Sequence, residues 1–341
     1  MLRITTVDAH IAGEPLRLIV DGFPRVRGAT MIEKGDWVAR RADHLRRALM
    51  REPRGHRDMY GALLTEPATP GSHAGILFMH GGGYDPMSGH GIIGATTIAL
   101  ERGLITTAVR VTPDPAASIV FDTPAGTIRA QAAMPMLDAA SPPRVDSVAF
   151  VDVPSFVVQG GIEVPLAGRR LRADVAFAGL FYAIVDGESA GLPLDGAHLP
   201  ELRRAAAAIR GALARPLSLV HPQQPRLEGL GGIIFTGLPE SSAADLRSVT
   251  IFGGDAVDRS PSGGGTAAVM AVLDAMGLLD DSRPFVQEGI VGTTFSGRVV
   301  GRTQVGEYPA IVPEIRGAAW ITGEHTFVID DDDPFREGYP L

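Results

Sequence analysis

Two segments of this chain carry the same signal 174 residues apart, and they constrain the fold more than anything else in it. "SGHGIIGATTIALERGL" spans residues 88–104 and "SGGGTAAVMAVLDAMGL" spans 262–278. In each, a serine and close-spaced glycines precede an apolar run with helical character, and a Gly-Leu pair ends it. Ser88 matches Ser262, Gly89 matches Gly263, Gly91 matches Gly265 and Gly103 matches Gly277. A helix start repeated half a chain apart predicts two similar α/β halves. A length of 341 residues suits two such halves.

The flanking sequence fits that division. "LRITTVDAHIAGEPLRLIV" alternates apolar and polar residues around Gly13-Glu14-Pro15 and reads as a hairpin. "GDWVARRADHLRRALMREP" has helical spacing and ends before Pro53. "HAGILFMH" and "SVTIFGG" are strand candidates, each ahead of one serine helix. "VAFAGLFYAIVD" reads as a buried strand pair and "LPELRRAAAAIRGAL" as an amphipathic helix. "PMLDAASPPRVDS" is the expected linker. "IRGAAWITGEHTFVIDDDDPFREGY" predicts two closing strands and an acidic turn, with Asp330–Asp333 as a solvated loop. The expected halves are 1–146, carrying Ser88 and joined by a returning segment of roughly 328–341, and 147–327, carrying Ser262.

Composition narrows the chemistry. The net charge is −8 and no basic block occurs, so nucleic acid is not an expected partner. No stretch approaches the ~20 apolar residues that span a bilayer, and no signal-peptide pattern opens the chain, so cytoplasm is the expected location. The absence of cysteine excludes disulfides, thiolate metal sites and thiol nucleophiles. The nine histidines form no ligand-like cluster, and neither metal nor cofactor is expected.

A serine followed by glycine is an ordinary helix cap. The density of glycine at Gly89, Gly91, Gly263, Gly264 and Gly265 asks for more, because each glycine weakens a helix by ~1 kcal/mol against alanine. Bare helix N-termini bind anions. Two of them facing each other could hold one carboxylate, with a serine hydroxyl on each side of the adjacent carbon. That arrangement suits racemisation, epimerisation or elimination at an α-carbon. Neither segment has the Lys-Ser/Thr ending of a phosphate loop, a G-x-G-x-x-G dinucleotide fingerprint or the G-x-S-x-G of a serine hydrolase.

At these residues the chain resembles the proline racemase family. That family carries M-C-G-H-G or M-C-G-H-A before one helix and D-R-S-P-C-G or D-R-S-P-T-G before the other; here they read "MSGHG" (87–91) and "DRSPSG" (258–263). "HIAGEPLR", "EPRGHRDMYGA" (52–62), "FYAIVD", "VGTTFSGRV" (291–299) and "AAWITG" extend the resemblance nearly end to end. The long motif at 52–62 and "DDDDPFREG" are most similar to the trans-3-hydroxy-L-proline dehydratase branch. The resemblance implies a diaminopimelate epimerase-like fold: two pseudo-symmetric halves, each a curved sheet around a central helix, with the active site in the cleft between them. It implies Ser88 and Ser262 as the acid/base pair, Gly89, His90, Gly263 and Gly264 at carboxylate-binding positions, and His90 and Asp258 near the substrate amine.

The family's thiols are replaced. Racemases use two cysteines, and the dehydratases a cysteine and a threonine; both positions are serine here. A thiol ionises near pH 8.5, and an alcohol is a far weaker acid. A helix terminus offers ~0.3–1 kcal/mol and at most ~2, about one pKa unit, too little to form an alkoxide at neutral pH. Ser88 therefore needs a base, and His90 and Asp85 are the local candidates. The usual H-N-E-G-Y before the first site reads "HGGGY" (80–84), so a polar pair has become Gly81-Gly82. The expected activity is dehydration of trans-3-hydroxy-L-proline to pyrroline-2-carboxylate. The alternatives are a 4-hydroxyproline 2-epimerase or proline racemase-like enzyme and, from another class, a catalytically weak imino-acid binding protein. The expected partner is a proline or hydroxyproline derivative; a homodimer is left open.

Overall fold

The computed structural model describes residues 1–106, 109–110, 116–135, 142–214 and 217–340. They fall into two compact units, Met1–Phe150 with Gly317–Leu341, and Val151–Arg316. The first unit runs β1 (Leu2–Ile11), β2 (Glu14–Asp21), α1 (Met31–Arg41), α2 (Asp43–Met50), β3 (Tyr60–Thr65), β4 (Ala74–His80), β5 (Gly83–Asp85), α3 (Gly89–Glu101), β6 (Val109–Arg110), β7 (Ala116–Thr123), β8 (Gly126–Ala133) and β9 (Ser147–Val151). The second runs β10 (Ser155–Leu166), β11 (Arg169–Ala178), β12 (Leu180–Asp186), α4 (Gly187–Ala190), α5 (Leu199–Leu213), β13 (Leu230–Gly237), β14 (Leu246–Phe252), β15 (Val257–Asp258), α6 (Gly263–Ala275), β16 (Phe285–Glu288), β17 (Thr294–Val305) and β18 (Tyr308–Gly317). β19 (Ala319–Ile329) returns to the first unit.

The repeat is topological. In the first unit the strands pair in the order β19–β1–β2–β3–β4–β7–β8–β9, antiparallel except at β2–β3 and β4–β7. The second follows β10–β11–β12–β13–β14–β16–β17–β18, parallel only at the matching steps β12–β13 and β14–β16. Here β18 also pairs with β10 and closes an eight-strand barrel. The counterpart of β10 is β19, which comes from the far end of the chain. This moves the domain boundary: residues 317–327, assigned above to the C-terminal half, belong to the first unit because β19 pairs along the whole of β1.

Each unit encloses one helix that is apolar on every side, the pattern of a buried rather than a surface helix. Residues 89–100 of α3 and 263–272 of α6 are all buried. α3 packs on β1, β2, β3, β8 and β19, and α6 on β10, β11, β12 and β17. The matched Gly-Leu endings have a common cause. Gly103 and Gly277 adopt left-handed φ values of 62° and 69°, which lets Leu104 and Leu278 donate back to Ala99 O and Leu273 O, each at 2.8 Å.

Several local expectations shift. The opening hairpin turns at Ala12-Gly13, both at positive φ, so Glu14 and Pro15 already belong to β2. The helical stretch 35–53 breaks at Ala42 into α1 and α2. The C-terminal region forms one long strand after β18 rather than two. Part of the expected linker, residues 136–141, lies outside the described residues. No helix among the described residues is long and apolar enough to cross a membrane.

Candidate active site

In the first unit, β4 and β5 lead into the start of α3. Ser88 is its N-cap, with an extended φ of −147°, and its Oγ accepts the Gly91 amide at 3.1 Å. The same Oγ lies 3.3 Å from His90 Nδ1. The imidazole tautomer sets the direction of this contact: with Nδ1 unprotonated, Ser88 donates its proton to it. Both residues are buried, and Gly89 lies between them as the first residue of the helix. His90 is steered by Tyr60, whose ring meets it edge-on at 4.5 Å between centroids. Tyr60 Oη in turn donates to Asp85 Oδ2 at 2.7 Å, and Asp85 Oδ1 lies 3.8 Å from His80 Nε2. Of the two candidate bases for Ser88, His90 is thus the one in contact; Asp85 is engaged by Tyr60.

The segment at Gly81-Gly82 is held through its backbone. Arg46 donates to His80 O and Gly81 O at 2.7 and 2.9 Å, and Arg51 donates to Gly81 O at 3.0 Å. A Cβ on Gly81 would meet only Arg57 O, at 3.5 Å, so packing does not demand glycine there.

In the second unit, Ser262 caps α6 and accepts the Gly265 amide at 3.3 Å. Its φ is +68°, a left-handed value that serine rarely adopts. The preceding loop fixes that conformation. Asp258 Oδ1 accepts from the amide and hydroxyl of Ser260 at 2.9 and 2.7 Å, and Ser260 Oγ accepts the Ser262 amide at 3.0 Å. Gln287 Nε2 donates to Pro261 O at 2.9 Å. Gly263 and Gly264 open the helix, and N–H groups in that first turn have no intrahelical acceptor. Neither α3 nor α6 has an acidic residue in its first turn, so the positive end of each dipole is left for an anion.

The glycines divide by cause. A Cβ on Gly91 would strike the Phe78 ring at 2.4 Å and one on Gly265 would lie 2.8 Å from Ser262 Cβ, so Gly91 is required by packing on β4 and Gly265 by its own cap residue. Gly264 is required by the sheet, since a Cβ there would lie 2.8 Å from Ala178 O and 2.9 Å from Tyr182 Oη. These three positions need no ligand to explain them.

The sequence model of the family described as proline racemase matches residues 6–340. The chain belongs to the proline racemase family. It is 40% identical over 337 residues to a trans-3-hydroxy-L-proline dehydratase from Bacillus cereus, covering 99% of this chain and 98% of that one. It is 38% identical over 339 residues to a proline racemase from Clostridioides difficile, with the same coverage. Among solved structures, a hydroxyproline epimerase from Agrobacterium vitis with bound trans-4-hydroxy-L-proline superposes with a TM-score of 0.89 at 28% identity, covering 100% of this chain and 95% of that one. A PhzF-family protein of Bacillus anthracis, at 12% identity and a TM-score of 0.59, shares the fold alone. The fold is thus the mixed α/β architecture that the proline racemase family resemblance led us to expect.

Ser88, Gly89 and His90 lie together at the α3 start, and Ser262, Gly263, Gly264 and Asp258 at the α6 start. Sequence reasoning missed Tyr60, Ser260, Thr250 and Gln287. Tyr60 stood inside the "EPRGHRDMYGA" motif, which was a usable signal; Thr250 and Gln287 sit in strands whose neighbours no local pattern gives.

Proposed function

We propose that this chain is a cofactor-independent lyase acting at the α-carbon of a proline-like amino acid, and that it dehydrates trans-3-hydroxy-L-proline to pyrroline-2-carboxylate. The contact between Ser88 Oγ and His90 Nδ1 carries the reading. It supplies the base that an alcohol needs in place of a thiol: Ser88 takes the α-proton as His90 takes the proton of Ser88. The amide of Gly91 and the helix terminus stabilise negative charge on the oxygen in between. Ser262, with no imidazole or carboxylate bonded to its Oγ among the described residues, is the proton donor for the departing 3-hydroxyl. The first-turn amides at Gly89, Gly263 and Gly264 hold the substrate carboxylate, and His90 and Asp258 lie near the ring nitrogen. A dehydratase relative at 40% identity supports the reading, and a racemase relative at 38% makes isomerisation at the same carbon the competing one.

The test is incubation with proline, 4-hydroxyproline and trans-3-hydroxy-L-proline in D2O. Pyrroline detected with o-aminobenzaldehyde supports dehydration, and Ser88→Cys should raise its rate because the thiol ionises near neutral pH. Deuterium entering the α-position without pyrroline establishes the racemase or epimerase instead. Ligand-induced stabilisation with neither product leaves an imino-acid binding protein.

A further inference from the structure

Of the 31 arginines and lysines in the chain, Lys34 alone is lysine. Met31, Lys34 and Val38 are the buried residues of α1, a stripe at helical spacing in which an apolar side chain is expected. Lys34 is only 5% exposed. The position is unfavourable for a cation on two counts. Burial strips water from the charge, and the first turn is the positive end of the helix dipole. Its Nζ donates to Glu66 O and, among the described residues, to nothing else, and it makes no ion pair there. An ammonium has three donors, so two remain.

Lys34 lines an open cavity of about 610 Å³, with Arg25, Arg27 and Gly28 in one wall and Glu66 and Ala68 in the other. Both walls are pinned. Gly28 lies against the helix start at φ +145°, where a Cβ would stand 2.7 Å from Lys34 N. The amides of Ala29 and Thr30 donate to Glu33 Oε2 at 2.7 and 3.4 Å, so the Glu33 carboxylate is engaged by the cap. In the other wall, Asp122 Oδ2 accepts the amides of Ala68 and Thr69 at 2.8 and 2.7 Å. Glu66 is the one carboxylate in the lining, and it meets Arg25 Nη2 at 3.1 Å. Those two side chains are 76% and 84% exposed, and an ion pair so placed is weak. The lining therefore carries three cations and one carboxylate, a local surplus of positive charge in a chain of net charge −8.

We propose that this cavity binds a phosphate group, as the free ion or as a monoester, with Lys34 at its floor and Arg25 and Arg27 at its rim. A phosphate group carries about −1.5 to −2 charges at neutral pH, which matches the surplus in the lining. Its oxygens accept from the ammonium and from both guanidinium groups, the charge-assisted bonds such groups make best. The bound anion gives the remaining Lys34 donors an acceptor and brings negative charge to the positive end of α1. A single carboxylate leaves part of the surplus uncompensated. None of the lining residues belongs to the α3 start, so the inference stands apart from the reaction proposed above.

The test is calorimetric titration of the full chain with inorganic phosphate and, separately, with glycerol 3-phosphate, at fixed pH and ionic strength. Wild type should bind one of them saturably. Arg25→Gln with Arg27→Gln, both at exposed positions, should weaken that binding about tenfold or more. Lys34→Met, which keeps the stem and removes the charge, should do the same. Thermal melts establish that the variants fold. Preference for inorganic phosphate identifies the free ion as the ligand, and preference for glycerol 3-phosphate identifies a monoester. Wild type that binds neither overturns the inference. So does undiminished affinity in the folded double arginine variant, which would put the anion at another site such as the α3 or α6 start. Succinate binding as tightly as either phosphate overturns the choice of ligand class.

Discussion

The starts of α3 and α6 share a capping hydrogen bond and differ in cap conformation and side chains. Both have a serine cap bonded to the fourth residue's amide, a glycine there where a Cβ would clash, and a left-handed glycine ending the helix. Ser88 is relaxed and touches an imidazole; Ser262 is at φ +68°, and its amide donates to Ser260 Oγ. In the proposed dehydratase reading the two caps divide the chemistry: Ser88 has His90 as its base, and Ser262 serves only as a donor.

The largest expected effect tests that division directly. His90→Asn keeps a polar side chain and removes the base, and should lower pyrroline formation by about 10²–10⁴. Ser262→Ala removes a donor and no base, so in any α-proton exchange measured by deuterium uptake it should cost less than His90→Asn. Equal losses in exchange from the two substitutions would erase the distinction between the sides.

Much of this was legible in sequence, and the rest was not for a definable reason. The serine caps, the Gly-Leu endings, the all-apolar helices and the amphipathic α5 are local patterns, set by residues within a few positions of one another. The closure of the second sheet, the return of β19 to β1, and the meeting of Thr250 with the α6 cap depend on pairings between distant strands. Gly91, Gly264 and Gly265 show the limit sharply. Their number invited a ligand as the cause, whereas the Phe78 ring, the Ala178 carbonyl with the Tyr182 hydroxyl, and the Ser262 side chain occupy the space a side chain would need. Asp85 was adjacent enough in sequence to be a candidate base, but Tyr60, 25 residues earlier, binds it.

Buried carboxylates extend the comparison to stability. In the first unit, burial pushes Asp122 up, but the Ser72 hydroxyl and the Thr69 and Ala68 amides outweigh it and hold its carboxyl below the usual range. In the second unit, burial pushes Asp152 up to about 7, opposed only by the Val153 amide. The signs follow from linkage. Asp122 contributes stability above its unfolded pKa that is lost as pH falls. The native state of Asp152 holds a proton that the unfolded chain releases near pH 4, so its contribution is lost as pH rises toward 7. Asp152→Asn should therefore remove about 2–3 kcal/mol of pH dependence between pH 5 and 8, read from urea unfolding. Asp122→Asn should destabilise most at neutral pH. Wild type and Asp152→Asn running parallel across that window would show that Asp152 is ionised in the fold.

The smallest effect isolates the two caps from any chemistry. Replacing a serine cap with glycine costs a few tenths of a kcal/mol through the lost hydrogen bond and somewhat more through the freer unfolded chain. Ser88 is extended, so nothing offsets these losses, and Ser88→Gly should destabilise by about 0.5–1 kcal/mol. Ser262 sits where a side chain is strained by about 1–3 kcal/mol, and glycine relieves it. Ser262→Gly should therefore be neutral or more stable by up to ~1 kcal/mol in urea unfolding, while losing the proton donor and with it most pyrroline formation. Opposite signs at two caps that make the same hydrogen bond would show that the second unit keeps its hydroxyl against its own backbone preference. If both variants are destabilised alike, the Ser260 and Asp258 hydrogen bonds absorb the strain, and the backbone difference between the two helix starts has no energetic weight.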